Sequence, residues 1–142
     1  MTTTAQVTWV DGLQFVGEAG SGHAIVLDGK ESAGGRGTGT RPMELLLIAL
    51  AGCTAMDVVH ILRRKRQQVT GVQVKVEGER AEEHPRVYTT IKLVYVVKGR
   101  ALSEKAVVDS IELSQNKYCS ASAMLEQSAE LTYEYQIIEE EE

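Results

Sequence analysis

The order of patterns along this chain predicts an α+β fold, with antiparallel or mixed sheets built around one long helix. Three observations carry that reading. Runs of alternating apolar and polar residues lie towards both ends, a helix-length apolar block lies between them, and strands and helices do not alternate regularly as in a doubly wound fold. At 142 residues the chain is long enough for a core of its own, so residues 1–142 read as a single domain.

At the amino end, residues 5–10 and 13–16 flank Asp11-Gly12, a dipeptide suited to a hairpin turn. A third strand fits residues 23–27 and stops at the turn pair Asp28-Gly29. The loop that follows carries Gly29, Gly34, Gly35, Gly37 and Gly39, and it ends at Arg41-Pro42. As a plain reading it is a flexible connector, or a mobile loop carrying Arg36 or Arg41 to a site.

Pro42 starts a helix expected over residues 42–68, with Glu44 in its first turn and Arg63, Arg64, Lys65 and Arg66 at its far end. That charge order complements the helix dipole. Its first half, Leu45, Leu46, Leu47, Ile48, Ala49, Leu50 and Ala51, has no polar face, so it predicts a helix buried on all sides. A domain of this size has trouble surrounding such a helix alone, which predicts an interface between subunits.

After a stop expected at Gly71, Val72, Val74 and Val76 alternate with Gln73, Lys75 and Glu77 as a half-buried strand. The polar turn Glu82, Glu83, His84 and Pro85 leads to a long strand over 86–98, rich in Thr, Tyr and β-branched residues. Ser103 caps a second helix running to about Gln115, with Val107, Val108 and Ile111 on one face. Asn116-Lys117-Tyr118 breaks it, residues 119–127 form a short helix, and Leu131, Tyr133, Tyr135 and Ile137 alternate in a last strand.

Charge and cysteine content narrow the function classes. Of the net charge of -5, four charges come from the terminal run Glu139, Glu140, Glu141 and Glu142, so residues 139–142 read as a disordered, solvated end. An acidic balance argues against nucleic acid held by bulk attraction, and the basic run Arg63-Arg64-Lys65-Arg66 has no interleaved aromatic residues. The longest uncharged stretch, residues 45–56, rises about 18 Å as a helix against roughly 30 Å of bilayer core, so no membrane span is expected. No signal peptide is visible at the amino end, which points to the cytoplasm. Two cysteines are too few for a secreted disulfide scaffold or for a structural zinc site of their own.

The segment Gly34-Gly35-Arg36-Gly37-Thr38-Gly39-Thr40 lacks the Gly-Lys-Ser/Thr of a phosphate loop and the spacing of a dinucleotide fingerprint. His60, seven residues after Cys53, lies about 10.5 Å along the helix axis, too far to serve as its base by a direct hydrogen bond. No nucleophile-elbow motif supports a serine triad. Cys53 and Cys119 remain, 66 positions apart, as either packing thiols or a redox pair.

The segment Arg41-Pro42-Met43-Glu44-Leu45-Leu46-Leu47-Ile48-Ala49-Leu50-Ala51-Gly52-Cys53-Thr54-Ala55-Met56, together with Tyr118-Cys119-Ser120-Ala121-Ser122-Ala123-Met124-Leu125, resembles the OsmC/Ohr family of osmotically inducible and organic hydroperoxide resistance proteins. The resemblance covers nearly the whole chain. It implies an intertwined homodimer with the long helices buried at its centre and active sites at the subunit interface. It also implies a thiol peroxidase: Cys53 attacks an organic hydroperoxide, becomes a sulfenic acid and condenses with Cys119, and an external dithiol reduces the disulfide. No metal and no tightly held cofactor are implied. The family pattern lowers the thiol pKa with an Arg held by a Glu, for which Arg36, Arg41 and Glu44 are the candidates.

Three positions depart from the peroxidase pattern. Met43 stands where Glu follows the Pro, and on a regular helix Glu44 is rotated about 180° from Cys53. Asp57, one helical turn beyond Cys53, would raise the thiol pKa if left unpaired. Ser120 replaces a Pro. These departures predict a divergent member, for which the competing class is a non-catalytic dimer of the same fold, its interface cleft holding a small apolar molecule and its cysteines serving as packing.

Overall fold

The computed structural model describes residues 1–141, and the chain forms two compact units, Met1–Leu46 and a second from Leu47 onward. The first unit is an antiparallel meander of β1 (Ala5–Asp11), β2 (Gln14–Ala19) and β3 (Ala24–Leu27). Asp11 pairs with Gln14, so the tight turn is Gly12-Leu13, one position later than expected. Gly12 takes the left-handed conformation (φ 57°), and the Trp9 indole donates to its carbonyl at 2.8 Å.

The glycine-rich loop is not a slack connector. Asp28, buried at 2% exposure, gathers it: its carboxylate accepts from the Thr38 hydroxyl and from the backbone N–H groups of Gly29, Arg36 and Thr38. These bonds, the Thr38 hydroxyl foremost, hold the Asp28 pKa down at about 2 against burial. Gly35 is obligatory for this closure, since a Cβ there would sit 2.1 Å from the Gly29 carbonyl oxygen.

Helix α1 (Pro42–Arg64) ends four residues before the expected limit. Gln67 N–H bonds to the Leu62 carbonyl at 3.0 Å and Arg66 N–H to the Arg63 carbonyl at 2.9 Å, a Schellman ending in which Arg66 (φ 58°) takes the left-handed position. Gly71, the expected stop, lies inside the next strand beside a shift of register between Val69 and Gly71. An arginine in a glycine's conformation left no mark in the sequence.

The second unit holds a mixed sheet of β4 (Gln68–Arg80), β5 (Tyr88–Arg100) and β6 (Glu130–Glu139), in the order β4-β5-β6. β4 pairs antiparallel and β6 parallel with the central β5. A parallel partner requires a long crossover, supplied by α2 (Glu104–Leu113), a wide helical turn at Ser114–Tyr118, and α3 (Ser120–Leu125). Ser103 caps α2 as expected, accepting from Ala106 N–H at 3.2 Å. The core is formed by Ile91, Leu93, Tyr95 and Val97 of β5, Leu50, Val58 and Leu62 of α1, and Val107 and Ile111 of α2, all fully buried. Each such large side chain contributes about 1.5–3 kcal/mol.

One expectation needs correction. The terminal acidic run is ordered in part: Glu139 closes β6 and its carboxylate accepts from Ala101 N–H at 2.9 and 3.1 Å, while Glu140 N–H bonds to the Gly99 carbonyl at 2.8 Å. Parallel pairing with β5 carries the strand into the tail; Glu142 lies outside the described residues. Within one chain, α1 is buried along one stripe, and the sequence reading assigned the rest of its burial to an interface between subunits. Only the stripe Leu50, Thr54, Val58 and Leu62 is buried, whereas Ile48 is 56% and Met56 75% exposed. By length and composition the 23 residues of α1 could cross a bilayer, which the uncharged stretch alone did not suggest. Its polar Thr54 and Asp57 are instead satisfied by protein groups.

Candidate active site

Cys53 precedes the buried Thr54 on α1 and is half-buried at the edge of the packed stripe. Cys119 is placed by the wide turn that ends α2. The turn closes with Cys119 N–H bonded to the Ser114 carbonyl at 2.8 Å, and the residue becomes the N-cap of α3, its sulfur accepting from Ser122 N–H at 3.3 Å. Both cysteines are free thiols, and Cys119 is only 3% exposed. The two sulfurs and a carboxylate oxygen of Asp57 all lie within 4.8 Å of one another. Burial pushes the Cys119 pKa up, and the adjoining Cys53 thiol adds to the rise. The bonds from Ser122 oppose it.

Asp57 is not left unpaired, as the sequence allowed. Ser114 Oγ donates to it at 2.8 Å. With its one proton spent there, Ser114 must accept from Thr54 Oγ1 at 2.7 Å, and Thr54 in turn accepts from the Tyr95 hydroxyl at 2.7 Å. Gln115 Nε2 donates to the Tyr95 oxygen. With Asp57 as the terminal acceptor, the hydrogen bonds run one way from Gln115 through Tyr95, Thr54 and Ser114. Burial raises the Tyr95 pKa, which keeps that hydroxyl a donor. None of these four residues was singled out from the sequence. The available signals were a threonine at a core position of an apolar helix and a tyrosine among the aliphatic residues of a central strand.

Beside Asp57 opens a cleft of about 490 Å³, lined also by His60, Arg64, Lys65, Leu113 and Tyr118. Its mixture of cations and apolar side chains suits an amphipathic molecule better than a wholly apolar one.

The other site candidates belong to the first unit. Arg36 is held by Asp11, with Nη1 3.2 Å from Oδ2 and Nη2 3.5 Å from the backbone oxygen. Arg41 pairs with Glu44, at 4.0 Å between side chains, and Glu44 Oε1 also accepts from Arg41 N–H at 2.9 Å in the manner of a capping box. Of the two arginines, Arg41 is thus the one held by a Glu.

Comparison with known proteins is consistent with this architecture. Residues 35–134, which include both cysteines, match the family described as OsmC-like protein. Protein YhfA of Escherichia coli K12 is 45% identical over 134 residues, covering 94% of this chain and 97% of its own length. The crystal structure of a hypothetical protein from Aquifex aeolicus VF5 superimposes with a TM-score of 0.87 at 32% identity, over 99% of both chains. An organic hydroperoxide resistance protein OsmC from Legionella pneumophila shares the fold with a TM-score of 0.73 at 16% identity, over 96% of this chain and 97% of its own. The matched stretch, the near full-length relatives and the common fold make this chain a member of the OsmC-like family.

Proposed function

We propose that this protein is a homodimeric thiol peroxidase of the cytoplasm that reduces organic hydroperoxides. The observation that carries the reading is the meeting of two free thiols from positions far apart in sequence, one half-buried and one almost wholly buried. Cys53, the more accessible, attacks the terminal peroxide oxygen as a thiolate; the O–O bond breaks and the alkoxide takes a proton to leave as the alcohol. The resulting sulfenic acid condenses with the Cys119 thiol, releasing water and forming the disulfide. An external dithiol then returns both thiols by exchange. A Cys119 thiol with a raised pKa stays protonated until it is needed, which suits the resolving role. The Arg41–Glu44 pair matches the Arg held by a Glu that the family resemblance implies, whereas Arg36 pairs with Asp11. Membership of a family that includes described hydroperoxide resistance proteins supports the same chemistry.

The dimer is supported by apolar surface that one chain leaves open, notably Ile48 and Met56 of α1 and Val7 and Trp9 of β1. Light scattering of a dimer returns twice the 15.5 kDa of one chain; the single-chain mass at micromolar concentration rejects this assembly.

Mass spectrometry after one equivalent of cumene hydroperoxide tests the reaction. The expected product is an intrachain Cys53–Cys119 disulfide, with peroxide consumption lost in Cys53→Ser and a sulfenic acid retained in Cys119→Ser. Unmodified thiols would sink the proposal.

A further inference from the structure

Asp57 has no role in the peroxidase reading, yet it is the third donor of a compact cluster. Two thiols and a carboxylate with their ligand atoms within 4.8 Å of one another are the donor set of a thiophilic divalent cation such as Zn²⁺. We propose that reduced Cys53 and Cys119, together with Asp57, bind one such cation per chain, and that its occupancy guards the pair against peroxide. The regulatory half rests on the proposed peroxidase function; the binding half does not.

Three features favour the site. The spread of the donors is close to that of a tetrahedral centre, with Zn–S about 2.3 Å and Zn–O about 2.0–2.2 Å, so closure needs only modest movement of side chains. Asp57 is aimed from behind, because the Ser114 hydroxyl holds one oxygen and is itself positioned by Thr54 and Tyr95, while the carboxylate keeps lone pairs to spare. Its charge is also unmet, for among the described residues Asp57 takes part in none of the ion pairs. Two thiolates forming beside it would repel it and one another, and a divalent cation removes that repulsion.

Binding releases two thiol protons, and the fourth coordination position stays open to water. With both sulfurs ligated, neither is free to attack. When a hydroperoxide does oxidise the pair, two electrons pass from the dithiolate to the O–O bond and two protons are taken up. The products are the disulfide, alcohol and water, and the cation is released because a disulfide has no thiolate to offer. The site thereby exchanges metal for oxidation.

Cobalt titration of the fully reduced protein under argon tests the site without reference to turnover. The expected result is a 1:1 complex with sulfur-to-cobalt charge-transfer absorption and tetrahedral d–d bands, displaced by Zn²⁺. Cys53→Ser and Cys119→Ser each lose about half of the charge-transfer intensity. Asp57→Asn keeps both thiols and weakens binding by about 10-fold or more, since even outer-shell changes cost 10–100-fold in metal affinity. Absence of the charge-transfer band overturns the site, and parental affinity in a folded Asp57→Asn overturns the three-ligand assignment. In parallel, one equivalent of Zn²⁺ is expected to suppress disulfide formation by cumene hydroperoxide. Zinc bound with oxidation undiminished overturns the guarding role, whereas cobalt bound by a protein whose thiols never react with peroxide leaves the site standing and rejects the peroxidase instead.

Discussion

The two units of this chain are stabilised in different ways. From Leu47 onward, aliphatic and aromatic side chains of α1, β5 and α2 are fully excluded from water, and only then do hydrogen bonds finish the interior. In the first 46 residues the only buried positions are Gly17 and Asp28, every residue of β1 is exposed, and Val7 and Trp9 are more than half exposed. That unit is held by strand pairing, by the Trp9 to Gly12 bond and by the ring of donors around Asp28. A three-stranded sheet that fully buries no large apolar side chain has little hydrophobic stabilisation of its own. The contrast teaches that one region folds around its own core, whereas the other keeps apolar surface available for cover.

The two regions report separately, because the single tryptophan, Trp9, lies in the first and all five tyrosines lie in the second. The largest effect is expected from Leu62→Ala, which opens a cavity in the packed core and should cost about 2–5 kcal/mol in urea unfolding followed by tyrosine. A cost near zero would dissolve the contrast. Asp28→Asn addresses the hydrogen-bonded region. The native carboxyl titrates at about 2 against 3.8 ordinarily, so the folded form binds that proton less readily than the unfolded one. Its stabilisation is complete above about pH 4 and is lost as pH falls through about 2. Trp9 fluorescence of the parent should therefore show an acid transition in that window that the variant lacks; an identical transition in both would remove Asp28 from this role. The smallest effect is expected from Val7→Ala, within about 0.5 kcal/mol for the isolated chain, as at other exposed positions. It should loosen the dimer measurably by light scattering at low concentration if β1 is covered there.

Much of the fold was legible because its signals are local. The alternation of β1, β2 and β6, the N-cap at Ser103 and the helix opening at Pro42 each depend on a few neighbouring residues. The end of α1 was not legible, since Arg66 adopts a conformation that arginine rarely takes and the usual glycine signal stood elsewhere. The ordering of the glycine-rich loop depended on Asp28, whose sequence context reads only as a turn. In the candidate site both thiols were visible, but Thr54, Tyr95, Ser114 and Gln115 were read as ordinary parts of helices and strands.

By itself the sequence determined the α+β class and the order of its elements, because periodicity and capping act over a few residues, while the resemblance of two motifs pointed to the family and to the two cysteines of interest. Only the tertiary structure decided that α1 buries a single stripe in its own chain, that the acidic tail continues a strand, and that Asp57 joins the two sulfurs. The reason is physical. Hydrogen-bond partners 57 to 61 positions apart, such as Asp57 with Ser114 and Thr54 with Gln115, meet only when the crossover after β5 returns the chain to α1, and no local pattern records which side chains that return brings together.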